Sequence, residues 1–175
     1  MGRTTSDAPL LAFLDADDAY QAEALYPAQL ALSKFAYLSL VRLPLIVVDL
    51  AARYAAPLKL DNAWHTVQMT VGGNTVFRRS LFLAVGGFPQ DQLFRRFGGE
   101  GGALQLALIR TTVVGTLFGK SDSVQPVAGV LHSYRKGMHA ERLLDVILFK
   151  QYDPLVMSHM AQANQVTDRI IQQLQ

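Results

Sequence analysis

Asp15 and Asp17 stand at alternate positions just after the apolar run Leu10-Leu-Ala-Phe-Leu14. Carboxylates two residues apart beyond a strand can face one cavity, and two hard oxygen ligands leave room for diphosphate oxygens and water around Mg²⁺ or Mn²⁺. The pattern therefore predicts a metal-diphosphate site. The same acidic residues also suit a plainer task, because Asp17 or Asp18 could cap a helix N-terminus. The chain has no cysteine, which excludes a thiolate-bound zinc, an iron-sulfur cluster, a disulfide framework and a thiol nucleophile together. Any metal is left with oxygen or imidazole ligands.

A chain of 175 residues with 50% hydrophobic and 17% charged residues is expected to form one cored domain. Its 16 basic and 14 acidic residues leave a net charge of +2 and form no basic tract, so no nucleic-acid partner is expected. The polar first nine residues precede an apolar run too short for a signal-peptide core, which predicts a cytoplasmic protein. Residues 35–56 are the most apolar segment, but Arg42, Pro44, Asp49 and Arg53 interrupt them before a bilayer-length stretch accumulates. A buried helix or an oligomer contact is the expectation there, with a peripheral membrane contact left open.

The elements that must position Asp15 and Asp17 begin with a buried strand over residues 10–14. Leu25, Ala28, Leu32 and Phe35 recur at helical spacing with Pro27 in the first turn, which predicts a long helix broken at Pro44. A second helical piece is expected over residues 45–54, ended by Pro57, with a loop over 59–63. Gly72-Gly-Asn74 separates expected extended segments at 67–71 and 75–77. A short helix follows over residues 80–85, then a loop over 88–102 and an amphipathic helix over 103–110. The β-branched stretches 111–118 and 124–134 read as strands joined by a polar turn at 119–122, and residues 135–137 break the second. The tail is predicted helical from about 139 to 175, with Val156, Met160, Ala163, Val166, Ile170 and Leu174 on one face.

Three ordered segments carry a family resemblance. Leu11-Ala-Phe-Leu-Asp-Ala-Asp-Asp18 is similar to the strand and Asp-x-Asp element of glycosyltransferase family 2. Gly73-Asn-Thr-Val-Phe-Arg-Arg79 and Phe82-Leu-Ala-Val-Gly-Gly-Phe88 resemble its acceptor-side segment. Gly98-Gly-Glu-Gly-Gly-Ala-Leu104 occupies the place of its Glu-Asp element at a helix start. The resemblance implies an α/β fold: a partial GT-A, Rossmann-like domain with a short mixed sheet, long helices after the Asp-x-Asp strand and a helical tail, all within a single domain spanning residues 1–175. Only the metal-binding and acceptor half of the family is matched.

By that resemblance Asp15 and Asp17 hold Mn²⁺ or Mg²⁺ and the donor diphosphate, and His132 occupies a place where some GT-A enzymes supply a third ligand. A strand-end histidine bonding to a loop is the plainer reading of His132. The family's acidic pair is Glu-Asp, whereas this chain has Glu100-Gly101, leaving Glu100 as the base candidate. Asn74, Arg78 and Arg79 are expected to contact acceptor or phosphate, with Arg95 and Arg96 as a second basic pair; a solvated face is the alternative. Trp64, beside His65, would stack under an acceptor sugar or anchor a loop, and His139 would lie in the cleft or cap the next helix. His159 is expected to be structural.

The implied reaction passes a sugar from a nucleotide-sugar donor to a hydroxyl acceptor, a hexosyltransferase-like activity. In the family several nucleotide-holding elements precede the Asp-x-Asp strand, where this chain has nine residues. That difference, with Gly101, supports an alternative: a non-catalytic, degenerate transferase domain serving dimerisation or partner binding. A homodimer, or a missing N-terminal half that completes the site, is the corresponding expectation.

Overall fold

The computed structural model describes residues 6–54, 57–118, 127–133, 139–151 and 154–175. The fold is mixed α/β, built on two small mixed sheets and seven α-helices among the described residues. Strands β1 (Leu10–Ala12), β5 (Thr75–Arg78), β3 (Leu40–Arg42) and β6 (Val114–Thr116) lie side by side in that order, antiparallel except for the β3/β6 pair. A second sheet places β7 (Val130–Ser133) between β2 (Ala19–Tyr20), antiparallel, and β4 (Leu45–Val48), parallel.

The first sheet divides two apolar cores, as the period-two alternation of a strand requires. Val41 and Val76, paired across β3 and β5, face a core with Ala28 and Leu32 of α1 (Leu25–Lys34) and Ala63 and Val67 of α2 (Pro57–Thr70). Their neighbours Leu40 and Phe77 face the other core, with Phe82 of α3 (Arg79–Ala84) and Phe94 of α4 (Gln92–Phe97). Leu104 and Leu108 of α5 (Glu100–Thr111) complete it with Val166 and Ile170 of α7 (Pro154–Leu174). The remaining helix, α6 (His139–Phe149), contributes Leu144 to the first core.

Residues 40–54 do not form the expected helices. β3 and β4 flank Leu43-Pro44, and only a single turn of 3₁₀ helix follows at Ala52–Tyr54. Leu40, Val41 and Arg42 are buried on both faces, and a fully buried strand reads as an unbroken apolar run that periodicity cannot separate from a helix. Pro44 ends no helix here. Its carbonyl accepts from Val130 N at 2.9 Å, close beside Gly129, where a β-carbon would fall 2.3 Å from the Pro44 oxygen, so only glycine fits. The long helices expected after the Asp-x-Asp strand reduce to the ten-residue α1.

The loop expected at 59–63 and the extended segment at 67–71 give way to α2. Pro57 opens this helix rather than closing the previous one, as its fixed φ allows. Ala63 and Val67, four residues apart, are its buried stripe, which Val71 just past the helix end continues. The expected loop 88–102 contains α4 and the start of α5. The helices α3, α5, α6 and α7 and strands β1, β6 and β7 appear where the pattern placed them, with shorter strands. The turn expected at 119–122 and the break at 135–137 lie outside the described residues. Among the described residues no helix is long and apolar enough to cross a membrane.

Candidate functional site

Strand β1 ends at Ala12, and after Phe13 and Leu14 the chain turns sharply: Asp18 N donates to Asp15 O at 3.0 Å, closing a four-residue turn over Asp15-Ala-Asp-Asp18. Tyr20 holds the far side of the turn, its hydroxyl donating to the Phe13 carbonyl at 3.1 Å. The acidic triplet is thus turn structure and caps no helix.

The β2/β7 ladder pairs Ala19 with Leu131 and Tyr20 with Val130, so the next residues along each strand, Asp18 and His132, come face to face. Their side chains meet at 2.8 Å, with the Asp18 side chain wholly buried and that of His132 15% exposed. An ionised carboxylate can only accept, so the proton of this bond sits on His132 Nδ1. In the neutral form of the ring the lone pair then lies on Nε2. This is the arrangement in which a carboxylate orients a metal-binding imidazole.

Gly73 forms the floor of the cluster. A β-carbon there would lie 3.6 Å from Asp15 Oδ2 and 3.8 Å from Asp18 Oδ2, so both carboxylates face one point of backbone. Burial pushes the Asp15 carboxyl above its ordinary range, and the charges of Asp18 and Asp17 push the same way. His132 opposes the shift, and Glu100, at the first position of α5, adds to it. Asp15, Asp17, Asp18, His132 and Glu100 thus share one electrostatic neighbourhood. The Tyr20 phenol is raised by burial and then by Asp15 and Asp18.

The backbone beneath this cluster is held by Arg42, which is fully buried. Its guanidinium donates to the carbonyls of Gln68 and of Val71 (2.7 Å) and to Asn74 Oδ1 (3.0 Å). Asn74 Nδ2 in turn donates to Leu43 O at 2.7 Å and Gln68 O at 3.1 Å. Burial pushes the Arg42 guanidinium down to about 9, which leaves it charged at neutral pH. Gly72 and Gly73 lie between residues that Arg42 grips, so the floor is anchored from inside.

Gly101 meets that floor directly. A β-carbon on it would stand 3.1 Å from Gly72 N and 3.3 Å from Gly72 Cα. The aspartate that the resemblance leads one to look for at this position would press on an anchored backbone.

Other sequence candidates stand apart from the cluster. Asn74 is buried with every partner internal. Arg78 donates to the carbonyls of Leu38, Leu32 and Phe35, closing the end of α1. Arg79 bonds the Ser6 carbonyl, with Asp7 4.0 Å away. Trp64 Nε1 donates to Leu45 O at 2.9 Å and its ring packs on the first core. His65 lies edge-on to Phe118. His139 opens α6, and its side chain and that of Arg96 lie outside the described residues; Arg95 is exposed. His159 bonds the Gly98 carbonyl at 3.0 Å, as a structural histidine would. Asp18, Tyr20 and Arg42 are the residues the motif left aside. The sign of Asp18 was a third carboxylate, after Asp15 and Asp17, immediately before Ala19-Tyr20.

Among the described residues no three histidine, aspartate or glutamate side chains stand close enough to hold a metal ion by themselves. The donor chemistry fits a hard divalent cation in part: a carboxylate pair open on one side suits an ion whose other ligands are phosphate oxygens and water. No family model, curated protein or solved structure matches the chain.

Proposed function

We propose that the chain is the metal-binding and acceptor-binding part of a nucleotide-sugar-dependent glycosyltransferase. The observation that carries this reading is the convergence of Asp15 and Asp18 on Gly73, with His132 bonded to Asp18 and Glu100 within electrostatic reach. Asp15 and Asp17 would hold Mn²⁺ or Mg²⁺, with diphosphate oxygens and water completing its shell and His132, bonded to Asp18, nearby. Such an ion supplies charge neutralisation for a departing diphosphate. Glu100 takes the proton of the acceptor hydroxyl as its oxygen bonds to the anomeric carbon. The bond from that carbon to the diphosphate breaks, and the diphosphate leaves with the electron pair. The burial and the neighbouring carboxylates that raise Asp15 suit this role, since a cluster of unneutralised carboxylates gains most from a cation.

Calorimetric titration of uridine and guanosine diphosphates, with and without Mn²⁺, tests the proposal. Metal-dependent binding that disappears in Asp15→Ala and Asp17→Ala supports it. No metal-dependent binding of either nucleotide overturns it.

Gly101 favours a second reading, a degenerate transferase domain acting as a dimerisation or partner-binding module. The close fit of Gly101 against Gly72 leaves little room for a second acidic side chain at the start of α5. A sedimentation series showing a concentration-dependent dimer, together with no nucleotide binding, would favour it.

A further inference from the structure

Two fully buried side chains, Arg42 and Gln105, each keep a polar atom with no hydrogen-bond partner among the described residues: Nη1 of the one and Oε1 of the other. A buried polar atom left unpaired forfeits its hydration without compensation. Strand register brings the two residues to one place. Arg42 and Thr75 are directly opposite on β3 and β5, so their side chains share a face of the first sheet. Two residues along the same strands, Leu40 and Phe77 face the second core, where α5 packs, and the period of two puts Arg42 and Thr75 on that side as well. Gln105 reaches them from α5: its Nε2 donates to Thr75 Oγ1 at 3.0 Å.

The other nitrogens of Arg42 are engaged. Nε and Nη2 direct their protons to the Gln68 and Val71 carbonyls and to Asn74 Oδ1. Gln68 lies in the last turn of α2 and Val71 just past its end, so these carbonyls carry the partial negative charge of a helix C-terminus. Neutral oxygens alone thus solvate the buried charge, and Nη1 still lacks one.

The two unmet needs select the guest. Nη1 requires an acceptor and Oε1 a donor. An anion would suit the guanidinium but meet the lone pairs of the amide oxygen, whereas a metal ion would suit the oxygen but be repelled by the guanidinium. A neutral molecule that both donates and accepts meets both, and water is the smallest of that kind. Turning the Gln105 amide over leaves two donors, from which a water oxygen accepts equally. The Thr75 hydroxyl, bonded to the same amide, has a proton for a third contact, and internal waters typically make about three.

We propose that a long-lived internal water bridges Arg42 Nη1 and Gln105 Oε1, and that it ties α5 to the floor of the acidic cluster. Gln105 stands about one helical turn after Gly101, which abuts Gly72, so α5 meets the floor by direct contact at one point and through the water at the next. From the water, Arg42 leads on to Gln68, Val71 and Asn74, which flank Gly72 and Gly73. The site stands independently of the transferase reading.

A crystal structure of the intact chain tests the position, with a solvent oxygen expected roughly 2.7–3.2 Å from both atoms. A direct bond from Nη1 to Oε1, or no solvent oxygen between the two side chains, overturns the proposal. Relaxation dispersion of the solvent oxygen signal tests the lifetime in solution. Gln105→Met keeps the side-chain length without its amide and should hold one long-lived water fewer than the unaltered chain. Gln90→Met, at an exposed glutamine, should hold the same number. An unchanged number in folded Gln105→Met overturns the site. Amide exchange at Gly72 and Gly73 should be about tenfold faster in Gln105→Met and unaltered in Gln90→Met. Unaltered exchange in both overturns the tie to the floor. If Gln105→Met does not fold, the crystal structure of the unaltered chain decides.

Discussion

Asp18 and His132 are partners by strand register: the ladder that pairs Ala19 with Leu131 sets their side chains 2.8 Å apart, 114 residues apart in sequence. The acidic turn after β1 is thereby fastened to the second sheet by a charge-assisted bond at its most buried point.

Asp18→Ala removes that acceptor and leaves a mostly buried imidazole without its partner. A loss of about 2–3 kcal/mol in urea unfolding is expected, with Asp18→Asn costing less because the amide oxygen can still accept. If His132 ligates a cation through Nε2, Asp18→Ala also weakens Mn²⁺-dependent diphosphate binding about tenfold beyond Asp18→Asn.

The raised Asp15 carboxyl has a sign that denaturation can read. The folded state keeps this proton to higher pH than the unfolded chain does, so stability falls as pH rises from the ordinary value of 3.8 through the raised one. Asp15→Asn should therefore raise Tm at neutral pH by about 1–3 °C, a modest figure because the residue is only partly buried and its charge partly screened. The gain should vanish below pH 3.8. Mn²⁺ affinity of the unaltered chain should rise over the same pH range, since proton and cation compete for one carboxylate.

Arg42 gathers the carbonyls of Gln68 and Val71 and the Asn74 amide oxygen at one buried point. Arg42→Met should cost about 3–5 kcal/mol, because the Gln68 and Val71 oxygens lose a charged donor in a buried site. Arg42→Lys should recover little of it, one ammonium being unable to span three acceptors spread around a planar fork. Urea midpoints of the three proteins check this, and faster amide exchange at Gly72 and Gly73 should accompany both substitutions.

At Gly101 helix propensity and packing pull in opposite directions. Alanine is the better helix former by up to about 1 kcal/mol, but its β-carbon would meet Gly72 at 3.1 Å on a backbone that Arg42 and Asn74 hold in place. Gly101→Ala is accordingly expected to destabilise by about 1 kcal/mol, and the double variant with Arg42→Lys to show a smaller increment, because a loosened loop yields. Thermal melts of the cycle decide it.

The parts of this arrangement that were legible in the sequence depend on local pattern. Leu10 to Leu14 followed by carboxylates announced a strand and its end, and the apolar stripes of α5 and α7 repeat at helical spacing. Strands β3 and β4 were not legible, because β3 is buried from both sides and β4 is apolar throughout although Ile46 is exposed, so neither run carries a period. Asp18 and His132 acquire their relationship only from the β2/β7 register, a non-local fact. Asn74, Arg78 and Trp64 failed to reach the cluster for a common reason: closeness to a motif along the chain does not aim a side chain, and buried backbone carbonyls of Leu43, Leu38 and Leu45 claim their donors.

The second core joins the two ends of the described chain. Leu11, four residues before Asp15, packs in the same cluster as Val166 and Ile170 of the last helix. An opening of α7 therefore takes away part of the support under the strand that presents the carboxylates. Hydrophobic continuity makes the tail and the acidic turn one cooperative unit, so fraying at the C-terminus would be felt as a change in affinity at a site on the opposite end of the sequence.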